Sequence, residues 1–261
     1  MTLVAAAVCP HPPLLVPQVA GVDPIEVRDH ASAAVARLCA LAPDHIVVVG
    51  DDAADAHYAG SAVGSLAGFG VDLSFSLGAS GTGPAVLPLS LTIGAWLLRE
   101  AGWAGRCSAR GVPAATGPAA AAAIGADLVA TAEADGSRLA LLIMGDGSAR
   151  RTVKAPGSLD PRAAAYDASV SAALATLDVT ALLALDPALA ADLLAPGRAS
   201  WQVLAGALRR ATPGDPARSW TSLVRYDDAP FGVGYLVVGW ERADGTRADR
   251  QEKRATAQSG R

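Results

Sequence analysis

The stretch Cys9-Pro-His-Pro-Pro-Leu-Leu-Val-Pro, residues 9–17, closes a short apolar run from Thr2 to Val8. Such a run, ended by turn residues, predicts a buried strand. Prolines at 10, 12 and 13 fix φ and remove backbone donors, so they stop the strand. His11 is thereby presented at a strand's C-terminal end with little backbone freedom. In open α/β sheets that edge is where ligands bind. An imidazole there suits metal ligation or acid–base work, and equally a plain turn with one satisfied ring nitrogen.

Downstream, helical and strand patterns alternate. Residues 23–41 read as a helix with Asp23 as its cap and Pro24 at its first position. His45–Val49 reads as a β-branched buried strand. Residues 60–83 are rich in Gly and Ser and should wrap across the surface, with a short strand at 71–77. Helices are expected at 88–101 and 118–134, and strands at 107–112 and 138–144. Helices at 160–177, 186–194 and 200–212 follow, then strands at 220–226 and 231–240. This order predicts the α/β class: a single three-layer α/β/α domain over residues 1–240 with a mixed, largely parallel central sheet. Residues 241–261 are polar, lack periodicity and are expected to be a disordered tail.

Composition narrows the function classes. The 261 residues are 51% hydrophobic and 18% charged, which excludes a disordered chain. A net charge of −4 argues against a nucleic-acid surface. Cys9, Cys39 and Cys107 are odd in number and form no CxxC, which argues against a disulfide framework or structural zinc and for a reducing cytoplasm. The apolar start lacks a basic flank, and no apolar run is long enough to span a membrane. The expectation is a soluble cytoplasmic protein with neither nucleic-acid nor membrane partners.

Two more polar loops follow predicted strands. One is Asp51-Asp52-Ala-Ala-Asp55-Ala-His57, the other Gly145-Asp-Gly-Ser-Ala-Arg-Arg151. The second lacks the lysine and spacing of a Walker loop. Ser148 has no Gly-x-Ser-x-Gly elbow around it, so a serine hydrolase is disfavoured. His30 falls inside the first helix, and His45 begins its strand at the wrong end.

Taken in order, these residues resemble the catalytic chains of the class III extradiol ring-cleavage dioxygenase superfamily. That superfamily includes the protocatechuate 4,5-dioxygenase catalytic subunit and Memo-like proteins. The likeness rests on residues 9–17 and on His45–Gly50 with its polar loop. It continues through Met144–Arg151, Asp160–Asp167 and Pro230–Leu236, spanning most of residues 2–240. It implies oxygen-dependent opening of a catechol ring at a non-haem Fe(II) held by two His and one carboxylate, with a further His as acid/base. His11 matches the first ligand. Asp52 or Ala53 stands at the second ligand position, and His57 is the nearest imidazole. Ala149 stands where the acid/base His is expected, and neighbouring Arg150 keeps its charge at working pH. The late carboxylate ligand is Asp227 or Asp228, with Glu241 as a further option.

The candidate metal set is therefore His11, Asp52, His57 and Asp228, and the candidate catalytic set His11, Asp146 and Ser148. The implied cofactor is Fe(II) or another divalent metal, with none as the alternative. Two functions follow from the resemblance. One is a divergent metal-dependent oxidoreductase acting on a small phenolic compound with O₂. The other is a catalytically degenerate, Memo-like module that binds a ligand or a protein. Relatives of this kind imply a homodimer or a second, different chain as partner.

Overall fold

The structure is a computed structural model and describes residues 2–21, 25–78 and 81–243. Seven strands form the main sheet. They are β1 (Leu3–Cys9), β2 (His45–Asp52), β3 (Ala56–Tyr58), β6 (Arg106–Pro113), β7 (Leu139–Met144), β8 (Trp220–Asp228) and β9 (Tyr235–Arg242). A separate hairpin pairs β4 (Val63–Ser65) with β5 (Ser74–Ser76). The main order is β3-β6-β2-β7-β1-β9-β8. The block β6-β2-β7-β1 is parallel, whereas β3, β9 and β8 enter through antiparallel pairs.

Helices cover both faces, so the three-layer α/β/α expectation holds. One face carries α2 (Glu26–Ala40) and α3 (Leu89–Glu100), after the short α1 (Pro17–Ala20). The other carries α4 (Pro118–Asp135), α5 (Ala163–Thr176), α6 (Val179–Leu183), α7 (Pro187–Asp192) and α8 (Gly197–Ala211). Side-chain alternation along β2 divides the two cores. Val47 and Val49 face the α8 side, while Ile46 and Val48 face the α3 side. No described helix is long and apolar enough to cross a membrane.

Differences from the sequence-based expectations have local causes. Strand β2 runs on past Val49 because Gly50, Asp51 and Asp52 keep pairing with Gly111, Val112 and Pro113 of β6. Residues 56–58, expected in a loop, become β3 by adding antiparallel to β6. Strand β9 takes in Glu241 and Arg242, and Glu241 forms a bidentate pair with Arg37 of α2. The expected cap at Asp23 and Pro24, and the tail from 244 onward, lie outside the described residues. Burial raises the Cys9 and Cys107 thiols to about 12 and Cys39 to about 11, so all three stay protonated at neutral pH.

Helices α4 and α8 meet almost backbone to backbone. A Cβ at Gly125 would overlap the Val203 carbonyl, and one at Gly206 would overlap that of Ala122. Alanine would favour the helix by about 1 kcal/mol, but relieving overlap with fixed backbone costs about 1–3 kcal/mol. Gly125→Ala is therefore expected to lower the urea midpoint, whereas Gly68→Ala, which meets open space, leaves it nearly unchanged.

Candidate functional site

Three consecutive parallel strands, β2, β7 and β1, end at the same sheet edge. The chain leaves β1 and β2 towards the face of α2 and α3, and leaves β7 towards the face of α5 and α8. Outgoing connections that diverge in this way open a crevice, the usual place for a ligand in such folds. His11, Asp51 and Asp146 stand at the three strand ends.

The polar loop after β1 is built rigidly. Past the strand, Gly145 N–H donates to the Cys9 carbonyl at 2.9 Å, carrying β1–β7 pairing one step further. His11 N–H then donates to Asp146 Oδ1 at 2.7 Å. Pro13–Leu15 form a single 3-10 turn. Arg28 of α2 donates to the Leu14 carbonyl at 3.1 Å and the Leu15 carbonyl at 2.6 Å. The backbone that carries His11 is therefore anchored from both sides.

Its imidazole lies between two carboxylates. Nε2 is 3.3 Å from Asp51 Oδ1 and Nδ1 is 3.7 Å from Asp146 Oδ1. Neither contact has hydrogen-bond geometry: His11 Nδ1 and Asp51 Oδ1 are buried without a hydrogen-bond partner among the described residues. His11 is 6% exposed and Asp146 9% exposed, whereas the Asp51 side chain is 35% exposed and forms the open side of the site. Burial pushes the Asp146 carboxyl above its ordinary range. The His11 ring and N–H oppose that push, and the Asp51 charge adds to it.

The other expected site residues sit elsewhere. His57 is exposed on β3, opposite Arg110. Four strand spacings separate β3 from β1, roughly 19 Å across the sheet. Asp52 follows Asp51 in β2 and so points to the opposite face. There it lies over Gly111 and accepts the Tyr58 hydroxyl at 2.7 Å. Asp228 is exposed at the end of β8, two strands beyond β1, and accepts the Ala229 N–H. Asp227 accepts the Ser171 hydroxyl at 2.5 Å. His45 bonds Ser108 Oγ at the opposite sheet edge, and His30 stacks on Tyr226.

Ser148 is fully buried and its hydroxyl holds the loop together. Oγ donates to the Leu193 carbonyl at 2.9 Å and accepts Arg150 N–H at 3.1 Å. Asp167 of α5 accepts Ser148 N–H at 2.8 Å and pairs with Arg151 at 3.0 Å. Gly147 and Gly234 pack against its carboxylate, where a side chain would collide. The resemblance covers Asp167 within residues 160–167 but gives it no role.

An iron facial triad needs two imidazoles and a carboxylate around one point. Among the described residues no group of three or more His, Cys, Asp or Glu is arranged to hold a metal ion. The edge supplies one imidazole and two carboxylates, while His57, the imidazole expected as second ligand, lies across the sheet. This donor set does not fit the iron centre that the resemblance implies. What these three groups offer is proton acceptance: two carboxylates and an imidazole.

No protein-family model matches the chain, and no curated protein matches it. Among solved structures, the chain is similar to the crystal structure of the uncharacterized protein JW3007 from Escherichia coli K12. The TM-score is 0.57 at 15% identity, over 90% of this chain and 99% of that one. At that identity the likeness speaks for the fold alone.

The raised Asp146 pKa gives a signed expectation. Its ionised form is held at a cost in the folded state above the folded pKa. That cost disappears as pH falls through the folded value towards about 4, the unfolded one. Asn keeps an oxygen for the His11 N–H and carries no charge. Asp146→Asn is therefore expected to raise the melting temperature at pH 7, with the gain shrinking to nothing near pH 4. Calorimetry across that range checks it, and a variant less stable at pH 7 would contradict this account of the site.

Proposed function

We propose that the chain is a divergent relative of the class III extradiol dioxygenase superfamily that binds a small phenolic compound without iron. The observation that carries this reading is the single imidazole, on an anchored backbone, between two carboxylates, with His57 four strands away. Such a site has an excess of acceptors, so a fitting ligand brings donors. Neighbouring hydroxyl groups on one ring supply two donors at the spacing of adjacent acceptors. Asp51, the partly exposed member, meets the ligand first. His11 then accepts a hydroxyl proton as general base, while Asp146 holds the ring's orientation through the His11 backbone.

The reading makes the protein a binding or proton-transfer module rather than a ring-cleaving oxygenase. Ala149 agrees with it, because a methyl side chain moves no proton in the place where the resemblance calls for a second imidazole. The test uses catechol as the probe and calorimetric titration as the readout, on chelator-stripped and Fe(II)-reconstituted protein. Catechol is expected to bind the stripped protein, and His11→Ala to weaken binding by about tenfold or more, the loss of one hydrogen bond to a charged or buried group. Stoichiometric retention of Fe(II) together with oxygen uptake and a ring-opened product would overturn the proposal in favour of a dioxygenase.

A further inference from the structure

Four of the eight exposed large apolar side chains among the described residues stand on loops that touch one another. They are Val153 (74% exposed), Leu159 (52%), Phe231 (47%) and Leu194 (44%). Monomeric proteins carry such residues mostly singly, and a group of them marks a contact surface.

Backbone contacts hold these loops together. Arg151 N–H donates to the Gly232 carbonyl at 3.0 Å, and Gly232 packs against Thr152 and Ala155. Phe231 and Val153 therefore lie on abutting segments. Gly157 packs against the Leu194 side chain, and its N–H donates to the Ala149 carbonyl at 2.9 Å. Asp160 N–H donates to the Arg150 carbonyl at 3.1 Å, which ties the neighbouring Leu159 to the same loop.

Charge identifies what covers the surface. Three acids of this region are matched within the chain: Asp160 and Asp192 pair with Arg162, and Asp167 pairs with Arg151. Four charges form no salt bridge among the described residues. Arg150 and Lys154 stand in the loop after β7; Asp227 and Asp228 stand just before the turn that carries Phe231. The two acids accept only the Ser171 hydroxyl and the Ala229 N–H. A surface with unmatched charge of one sign calls for a partner of the other sign. Two cations and two anions beside one apolar group are instead matched by the same surface turned through half a circle, as a twofold contact requires.

We infer that this surface is the contact between two copies of the chain, with the apolar side chains at its centre and Arg150 and Lys154 of each copy facing Asp227 and Asp228 of the other. The inference is independent of what the His11 edge binds.

The test is sedimentation of the full chain from roughly 1 to 100 micromolar, the range in which an interface of modest size associates. A monomer–dimer equilibrium is expected. Val153→Asp would bury an unpaired charge at the centre and is expected to weaken the dimer about tenfold or more. Lys154→Glu and Asp228→Lys are each expected to weaken it about fivefold, whereas the two variants mixed associate more tightly than either alone. All three side chains are exposed in the single copy, so the variants keep their fold. Hydrogen exchange of the unaltered chain supplies a second readout, with protection of residues 150–159 and 229–233 rising with concentration. A chain that stays monomeric throughout overturns the inference and leaves the surface to a different protein. A dimer indifferent to Val153→Asp overturns it too, as does a mixture no tighter than its parts or exchange in these loops that ignores concentration.

Discussion

The carboxylate of Asp146 is the group around which the sheet edge is arranged. A buried carboxylate is costly unless its oxygens are bonded. Here one oxygen takes the His11 N–H at 2.7 Å, tying the ends of β1 and β7. The Asp146 carbonyl takes the Gly197 N–H at 3.0 Å, tying the same loop to the start of α8. Backbone from three elements therefore converges on one residue, and the position of the imidazole follows from it. Without that bond the proline-rich turn would still stop β1, but His11 itself would lose its tie to the loop after β7.

Guanidinium groups do the same work at the flanks. Arg28 holds the carbonyls of the His11 turn from α2. Arg198, buried at the start of α8, donates to the Ala114 and Thr116 carbonyls beyond β6 and to Gln202 Oε1. No carboxylate bonds either among the described residues, and burial lowers the Arg198 pKa. Charged donors bound to carbonyls are stronger than neutral ones and have a planar geometry that fixes two acceptors at once. Loops after β1 and β6 are thereby stiffened without adding negative charge to an edge that already carries Asp51 and Asp146. Asp167 completes the frame, bonded to Ser148 and Arg151 beneath the crossing of Gly147 and Gly234. Burial raises its pKa as well. An edge that keeps two carboxylates above their ordinary range gives up stability.

The sequence by itself determined the layers. Alternating apolar runs and helical faces leave few ways to bury a chain of this length, and strands form over the apolar runs expected at 2–8, 45–49, 107–112 and 138–144. It also determined that His11 sits at a strand's C-terminal end, because proline ends a strand whatever surrounds it. Partner choice could not be read in the same way. Asp51 and Asp52 are equivalent as text, yet pairing with β6 carries β2 through both, and strand alternation then sends one to His11 and the other to Tyr58. His57 looked close because it is near in sequence, but antiparallel addition to β6 carries it to the far side of the sheet. Which carboxylate, imidazole or phenol meets another depends on strand order and register, and those are settled by long-range pairing of the whole sheet, not by any local run of residues.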